Sequence, residues 1–283
     1  MESDLLKPHK SFFYKETNLG IISECPYHFE CGMDIICTQG SGVLSTGVQH
    51  YKMRANDELI FPAGTILQRM EATADFNVRI FTFPKKMFTE VVRKEDTSYF
   101  EILHKTPLHH HPIGADSWTN VNLWMDFANM LCKEKHNQFI GELERNFLRS
   151  FYLWVCNIIP SEYFFTGDSY NKRQQQYLHF LSLIRENSKK QHEVSFYANE
   201  LGISNRYLND IISEYGHQKS PKQLIDEQLI AELKCLLRFT DLSVSEIAEK
   251  LKFPDQSYLS RYFKKHTGVS PRKFKKLKTE TEE

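Results

Sequence analysis

From about Gly20 to Phe83 the chain offers short apolar segments, MDIICT, GVLST, DELIFPAGT and NVRIFTF, separated by glycine and polar turns. Runs this short, with turn residues at regular intervals, predict β-strands and an all-β domain. Between Ser117 and Ile159 the period lengthens. Val121, Trp124, Phe127 and Met130 or Leu131 share one stripe, and Leu143, Phe147, Phe151, Trp154 and Ile158 share another, which is the spacing of two amphipathic helices. Both stripes carry more large aromatics than a surface helix needs. They serve either as core packed on the β domain or also as a subunit interface. Pro160 ends the second helix, and the polar stretch TGDSYNKRQQQ reads as a linker.

Beyond the linker the pattern is helical and contains an internal repeat with an offset near 50 residues. Val194, Ser195, Ala198, Leu201 and Ile203 are echoed by Val244, Ser245, Ala248, Leu251 and Phe253. One extra residue then enters, so that Tyr207-Leu208 aligns with Tyr258-Leu259. Gly216 with Ser220-Pro221 is matched, at a tighter spacing, by Gly268 with Ser270-Pro271.

Each copy has the grammar of a helix-turn-helix: a short helix with a small residue for close approach, a short turn, and a second helix opening on polar side chains. In the first copy Ala198 is the small residue, Gly202 is free to turn left-handed, and Ser204 is placed to cap the helix that follows. That helix is expected to expose Asn205, Arg206 and Asn209 and to bury Tyr207 or Leu208, Ile211 and Ile212. In the second copy Ser243 and Glu246 form a capping box, and the following helix is expected to expose Gln256, Ser257, Ser260, Arg261 and Lys264. Small amides, hydroxyls and arginine are the side chains that read base edges in a major groove. Between the copies Ser220 caps and Pro221 opens a helix that runs to about Phe239 and holds the two units together.

Charge sharpens this division. The formal net charge is zero, yet residues 1–170 hold 16 Lys/Arg against 21 Asp/Glu, whereas residues 171–283 hold 20 against 15. From Lys250 to Lys278 there are ten basic residues and one acid, Asp255. Such asymmetry points to a polyanionic partner at one end of the molecule, the alternative being a solvated helix face. Phosphate contacts are expected from Arg261, Lys264, Lys265, Arg272 and Lys273. No apolar run reaches the ~20 residues of a membrane span and the first residues are too charged for a signal peptide, so a cytoplasmic protein is expected. Six cysteines without a C-x-x-C pair read as buried free thiols.

The stretch IAEKLKFPDQSYLSRYFKKHTGVSPRKFKK, Ile247 to Lys276, resembles the signature of the AraC/XylS family of bacterial transcriptional regulators, and the resemblance spans about residues 174–278. Ala248, Phe253, Asp255, Ser257, Tyr258, Arg261, Phe263, Lys264, Gly268, Ser270, Pro271 and Phe274 fit its pattern. Lys252 departs from it, standing where the family usually has a turn glycine. The resemblance implies a DNA-binding module whose two recognition helices approach successive major grooves of promoter DNA. It also implies activation as the usual mode, with RNA polymerase as a further partner. The first half looks like the cupin-type sensory domain of such regulators, on the match of Phe61-Pro62-Ala63-Gly64-Thr65 to a cupin turn. The metal-binding histidine expected three residues after that glycine is replaced by Leu67, and no H-x-H followed by glutamate lies upstream.

No metal or other cofactor is therefore expected. His109, His110 and His111 on an extended chain point in alternating directions, and Pro112 suggests an exposed loop. Phe29, Phe61, Phe76, Phe81 and Phe83 read as barrel core before they read as a ligand pocket. The expected fold is thus a two-domain chain: an N-terminal all-β cupin-like barrel with a helical pair, and a C-terminal all-α domain with two helix-turn-helix units. The expected boundaries are a cupin-like sensory domain over 1–116, a helical pair with a possible dimer seam over 117–160, a linker over 161–173, and an AraC-type DNA-binding domain over 174–283. The two units fall at about 194–216 and 243–267. The expected function is a dimeric, sequence-specific regulator whose N-terminal domain senses a small organic effector, and not an enzyme. The alternatives are an N-terminal domain that only dimerises or binds a protein partner, and a cupin enzyme fused to a DNA-binding tail.

Overall fold

The structure is a computed structural model and describes residues 2–7, 9–92, 107–112, 114, 116–134, 136–158, 172–216 and 218–276. Contacts group the chain into two units: Met1–Glu24, Phe29–Ser45 and His50–Ser169 form the first, and Cys25–His28, Thr46–Gln49 and Tyr170–Glu283 the second. Pro160 and most of the expected linker, 161–171, lie outside the described residues; Lys172 and Arg173 already belong to a helix.

Nine strands are described: β1 (Phe13–Thr17), β2 (Tyr27–Phe29), β3 (Gly32–Gln39), β4 (Ser41–Ser45), β5 (His50–Arg54), β6 (Asp57–Phe61), β7 (Thr65–Ala72), β8 (Asn77–Phe83) and β9 (Leu108–His110). They form two antiparallel sheets, ordered β1-β8-β3-β6-β9 and β2-β7-β4-β5. A short helix α1 (Lys85–Val91) follows β8, and the expected helical pair is α2 (Asp116–Lys133) and α3 (Ile140–Ile158). The apolar strands β3 and β6 show no alternation because both of their faces are covered. On one face Ile36, Ile60, Phe81 and Phe83 join Val121, Met125, Leu131, Phe147 and Phe151 of the helical pair in a single core. On the other, Tyr51 of the second sheet meets Phe61 edge-on at 5.5 Å.

Phe81 sits where these layers converge, with ring centroids 4.7 Å from Phe12 and 5.5 Å from Phe147. Arg79 straps the sheet to α2 through Asn122 Oδ1 at 2.9 Å and through Asp126. The aromatic stripe of α3 is therefore spent on this core, Phe147 and Phe151 being buried. On α2 a row of apolar side chains stays outside, Leu123, Phe127 and Met130 being 60%, 42% and 49% exposed, and on α3 Leu143 and Leu153 are exposed as well.

The histidine run is corrected. Leu108–His110 is a strand, with Asp57↔His110, Glu58↔His109 and Leu59↔Leu108 in register, and it covers what would otherwise be the open edge of β6. His111 is buried behind it. His110 Nδ1 lies 2.6 Å from Asp57 Oδ1, and His111 Nε2 lies 2.9 Å from Glu58 Oε2. Asp34 of β3 and Glu58 of β6 lie diagonally across the β3–β6 ladder, and both carboxyls are buried among the apolar strands. Burial, and then the charge of its partner, raises Asp34; burial raises Glu58 to about 8. Burial, and then His111, pushes His109 down to about 4.

The second unit is helical: α4 (Lys172–Asn187), α5 (Val194–Glu200), α6 (Asn205–Tyr215), α7 (Pro221–Phe239), α8 (Val244–Lys250), α9 (Gln256–Thr267) and α10 (Pro271–Lys276). Two separate hydrophobic clusters form. One gathers Phe180, Ile184, Tyr197, Leu208, Ile211 and Ile212 on Leu224 and Ile225 of α7; the other gathers Ile247, Leu251, Leu259 and Phe263 on Leu229, Leu233 and Leu237 further along that helix. The six cysteines are all free, and Cys31, Cys132 and Cys156 are half-buried, so burial holds for three of them.

A carboxyl whose folded affinity for a proton exceeds its unfolded one stabilises at low pH. The contribution of Glu58 is complete below its unfolded value of 4.5 and is lost as pH rises through about 8. The thermal stability of the full chain is therefore expected to fall between pH 5 and 8.5, by up to ~1.4 kcal/mol per pH unit for one proton. Glu58→Gln is expected to flatten that limb, and an unchanged slope in the variant would remove the pair as its source.

Candidate nucleic-acid interface

The internal repeat is a repeat of turn geometry. After α5, the Gly202 N–H donates to Asn199 O at 3.0 Å and the Ile203 N–H to Ala198 O at 2.9 Å. After α8, the Lys252 N–H donates to Glu249 O at 3.0 Å and the Phe253 N–H to Ala248 O at 2.8 Å. Both turns pivot on a left-handed residue, Gly202 at φ 65° and Lys252 at φ 58°. Ala198 and Ala248 are buried where the second helix of each unit crosses the first. The lysine thus adopts the glycine-like conformation, with its side chain in solvent. The two later glycines are not equivalent: Gly268 is left-handed at φ 78°, whereas Gly216 is not, and a Cβ there would meet Ile212 O at 2.6 Å.

Caps form where the spacing places them. Ser204 Oγ accepts from the Tyr207 N–H at 3.1 Å and starts α6, and its hydroxyl proton is left to donate outward. Ser220 with Gln223, and Ser243 with Glu246, make complete capping boxes on α7 and α8. Asp255 Oδ1 accepts from the Tyr258 N–H at 2.7 Å and starts α9, a cap that its position before Gln256 would have disclosed.

Asn205, Arg206 and Asn209 are exposed on one side of α6, opposite buried Leu208, Ile211 and Ile212. Asn209 Nδ2 donates to Asn205 O at 2.9 Å, which leaves its carbonyl oxygen outward. On α9, Ser257, Arg261, Lys264 and Lys265 are exposed, Gln256 and Ser260 half-buried, and Leu259 and Phe263 buried. Arg272 and Lys273 are exposed at the start of α10, where Ser270 Oγ accepts from the Lys273 N–H at 3.3 Å. The two outward faces differ in charge. α6 carries Arg206 beside Asp210 and Glu214, with Glu214 held by Arg173 at 2.9 Å, whereas the exposed side of α9 carries basic residues and no acid.

The first unit holds a different feature, an open cavity of about 810 Å³ whose lining includes Val43, Lys52, Met53, Arg54, Leu108 and His110. Its lining does not include Phe29, Phe61, Phe76, Phe81 or Phe83, all of which are core. Leu67 is fully buried, and among the described residues no group of three or more His, Cys, Asp or Glu is placed to hold a metal. Sequence reasoning missed Asp34 and Glu58; the signal was an acid inside each of the apolar runs MDIICT and DELIF. Among the described residues no helix is long and apolar enough to cross a membrane.

Two helix-turn-helix units on one connecting helix, the second with a cationic outward face, define a DNA-binding protein. Residues 197–277 match the family model described as a helix-turn-helix domain. That domain is a DNA-binding helix-turn-helix domain of the AraC type. No curated protein matches the chain. Among solved structures, ToxT from Vibrio cholerae bound to an unsaturated fatty acid is 16% identical, with a TM-score of 0.45 over 95% of this chain and 96% of that one. The C-terminal domain of the response regulator YesN from Fusobacterium nucleatum is 24% identical, with a TM-score of 0.33 over 34% and 94%. The DNA-binding domain of AdpA in complex with target DNA is 23% identical, with a TM-score of 0.32 over 38% and 93%.

Lys252 at φ 58° pays conformational strain that glycine does not. Lys252→Gly is expected to raise the unfolding free energy of the full chain, read as a higher denaturant midpoint, by about 0.5–1 kcal/mol, the strain relief exceeding the entropy that glycine adds to the unfolded state. A lower midpoint would show that the lysine side chain offsets the strain.

Proposed function

We propose that the chain is a cytoplasmic one-component activator that binds promoter duplex DNA through both helix-turn-helix units and adjusts that grip to a small organic effector held in its first unit. The observation that carries this reading is the twinned turn presenting two capped, outward-facing helices. Asn205, Arg206 and Asn209 of α6, with Gln256, Ser257 and Ser260 of α9, are assigned to base edges. Ser204, Arg261, Lys264, Lys265, Arg272 and Lys273 are assigned to phosphates. The cavity in the first unit supports the effector assignment, since about 300–1,000 Å³ suits a small molecule and its lining combines apolar residues with Lys52, Arg54, Asp57 and Glu71. Regulation requires no turnover, and RNA polymerase is the partner an activator would contact.

The exposed row Leu123, Phe127 and Met130 on α2 supports dimerisation through the helical pair, with the outward face of α2 as the seam. Sedimentation of the full chain at micromolar concentration is expected to give a dimer, and Phe127→Glu a monomer. A wild-type monomer both with and without DNA would remove this part of the reading.

Helix α7 has 19 residues, about 28 Å at 1.5 Å per residue, whereas successive major grooves repeat every ~34 Å. Seating both units therefore requires tilt of the reading helices or DNA bent toward the protein, the latter costing of order 1–6 kcal/mol. The cations of α9 and α10 can return that energy. Binding to a duplex selected by the protein from random sequence is expected to weaken with salt at a slope of −0.9 for each of roughly 5 phosphates. Arg206→Ala is expected to relax preference at one or two base pairs, and Lys264→Ala to weaken binding to selected and scrambled DNA alike and lower the slope by about one. Equal loss on both DNAs for Arg206→Ala would refute its assignment to bases.

A further inference from the structure

The two hydrophobic clusters of the helical unit do not merge, so α7 alone carries apolar packing from one to the other. Asp226 lies on α7 at their boundary, between Ile225 of the first cluster and Leu229 of the second, and it is buried. Its carboxylate gathers three groups. Tyr262 of α9 donates its hydroxyl to Oδ1 at 2.8 Å, Lys222 Nζ lies 3.1 Å from the same oxygen, and His266 Nε2 lies 3.8 Å from Oδ2.

Lys222 also donates to the backbone carbonyl of His192 at 2.9 Å, in the loop that leads into α5. That loop is fastened to the first core, because the hydroxyl of buried Tyr197 donates to Gln191 O at 2.7 Å. The His192 ring in turn lies 5.0 Å from Phe253, in the turn of the second unit, and Phe253 lies 5.3 Å from the Tyr262 ring. A continuous path therefore runs from the entry to the first unit, through Lys222 and Asp226, to the middle of the second reading helix.

We propose that this bridge, with Asp226 and Tyr262 at its centre, fixes the spacing and angle between the two reading helices and thereby sets which separation of two DNA boxes the protein accepts. Tyr262 and Asp226 are positioning residues: Tyr262 is half-buried on the inner side of α9, away from Ser257, Arg261 and Lys264. A buried charge-assisted hydrogen bond is directional, which apolar contact is not, and so resists rotation of α9 against α7. The proposal rests on both units reading DNA.

The test uses the full chain and a duplex selected by it from random sequence, together with the same duplex carrying one inserted base pair between the boxes, and with one box scrambled. One base pair shifts a box by ~3.4 Å along the axis and rotates it. Wild-type protein is expected to lose tenfold or more in affinity on the inserted duplex. Tyr262→Phe keeps the ring and removes only the hydroxyl; it is expected to lose threefold or less on insertion while matching wild type on the duplex with one box scrambled. Asp226→Asn keeps an oxygen for the Tyr262 hydroxyl and is expected to retain most of the discrimination. Full discrimination in Tyr262→Phe would overturn the proposal, as would an equal loss of affinity by that variant on all three duplexes, which marks a purely structural role. A wild-type chain indifferent to the insertion and to the scrambled box would overturn the two-unit reading itself, a failure distinguishable from that of the bridge.

Discussion

Everything in the helical unit hangs on α7. Neither helix-turn-helix unit encloses a core by itself: its two helices present one apolar side, and α7 supplies the surface that closes it. The helix serves one unit with Leu224 and Ile225 and the other with Leu229, Leu233 and Leu237. Such double duty explains why it is capped so completely at its start, with Ser220, Pro221 and Gln223 all engaged. Fraying there would loosen the first unit from the second.

The first unit solves a different problem. Its central strands are covered on both faces, by a second sheet and by the helical pair, and burial on both faces is a poor place for acids. Asp34 and Glu58 are tolerated because burial raises both and so favours their neutral, protonated forms, with His111 Nε2 2.9 Å from Glu58 Oε2. Neutral, hydrogen-bonded carboxyls avoid most of the cost of a buried charge.

The units also differ in how they present charge. In the first unit acids and bases are interspersed, and some are paired, as with Arg79 on Asp126 and His110 on Asp57. The basic residues of α9 and α10 project from short helices whose inner sides are fully used by Leu259, Phe263 and Pro271. A surface arranged in that way is available to a polyanion without any rearrangement of the core.

What the sequence determined by itself was local. The ends of α7, the capping boxes at Ser220 and Ser243, the left-handed turn at Gly202 and the outward side of α6 follow from interactions within about four residues, which chain order specifies directly. The strand character of MDIICT and NVRIFTF was legible for the same reason. Only the tertiary structure decided which partner each long-range group would meet. Asp34 and Glu58 are 24 positions apart, and Asp226 and Tyr262 are 36 apart. The histidine run reads as a loop until β6 offers it an edge, and the stripes of α2 and α3 look alike until the sheet buries Phe147 and Phe151 and leaves Phe127 outside. Periodicity shows that a face is apolar, but what covers it depends on the rest of the folded chain.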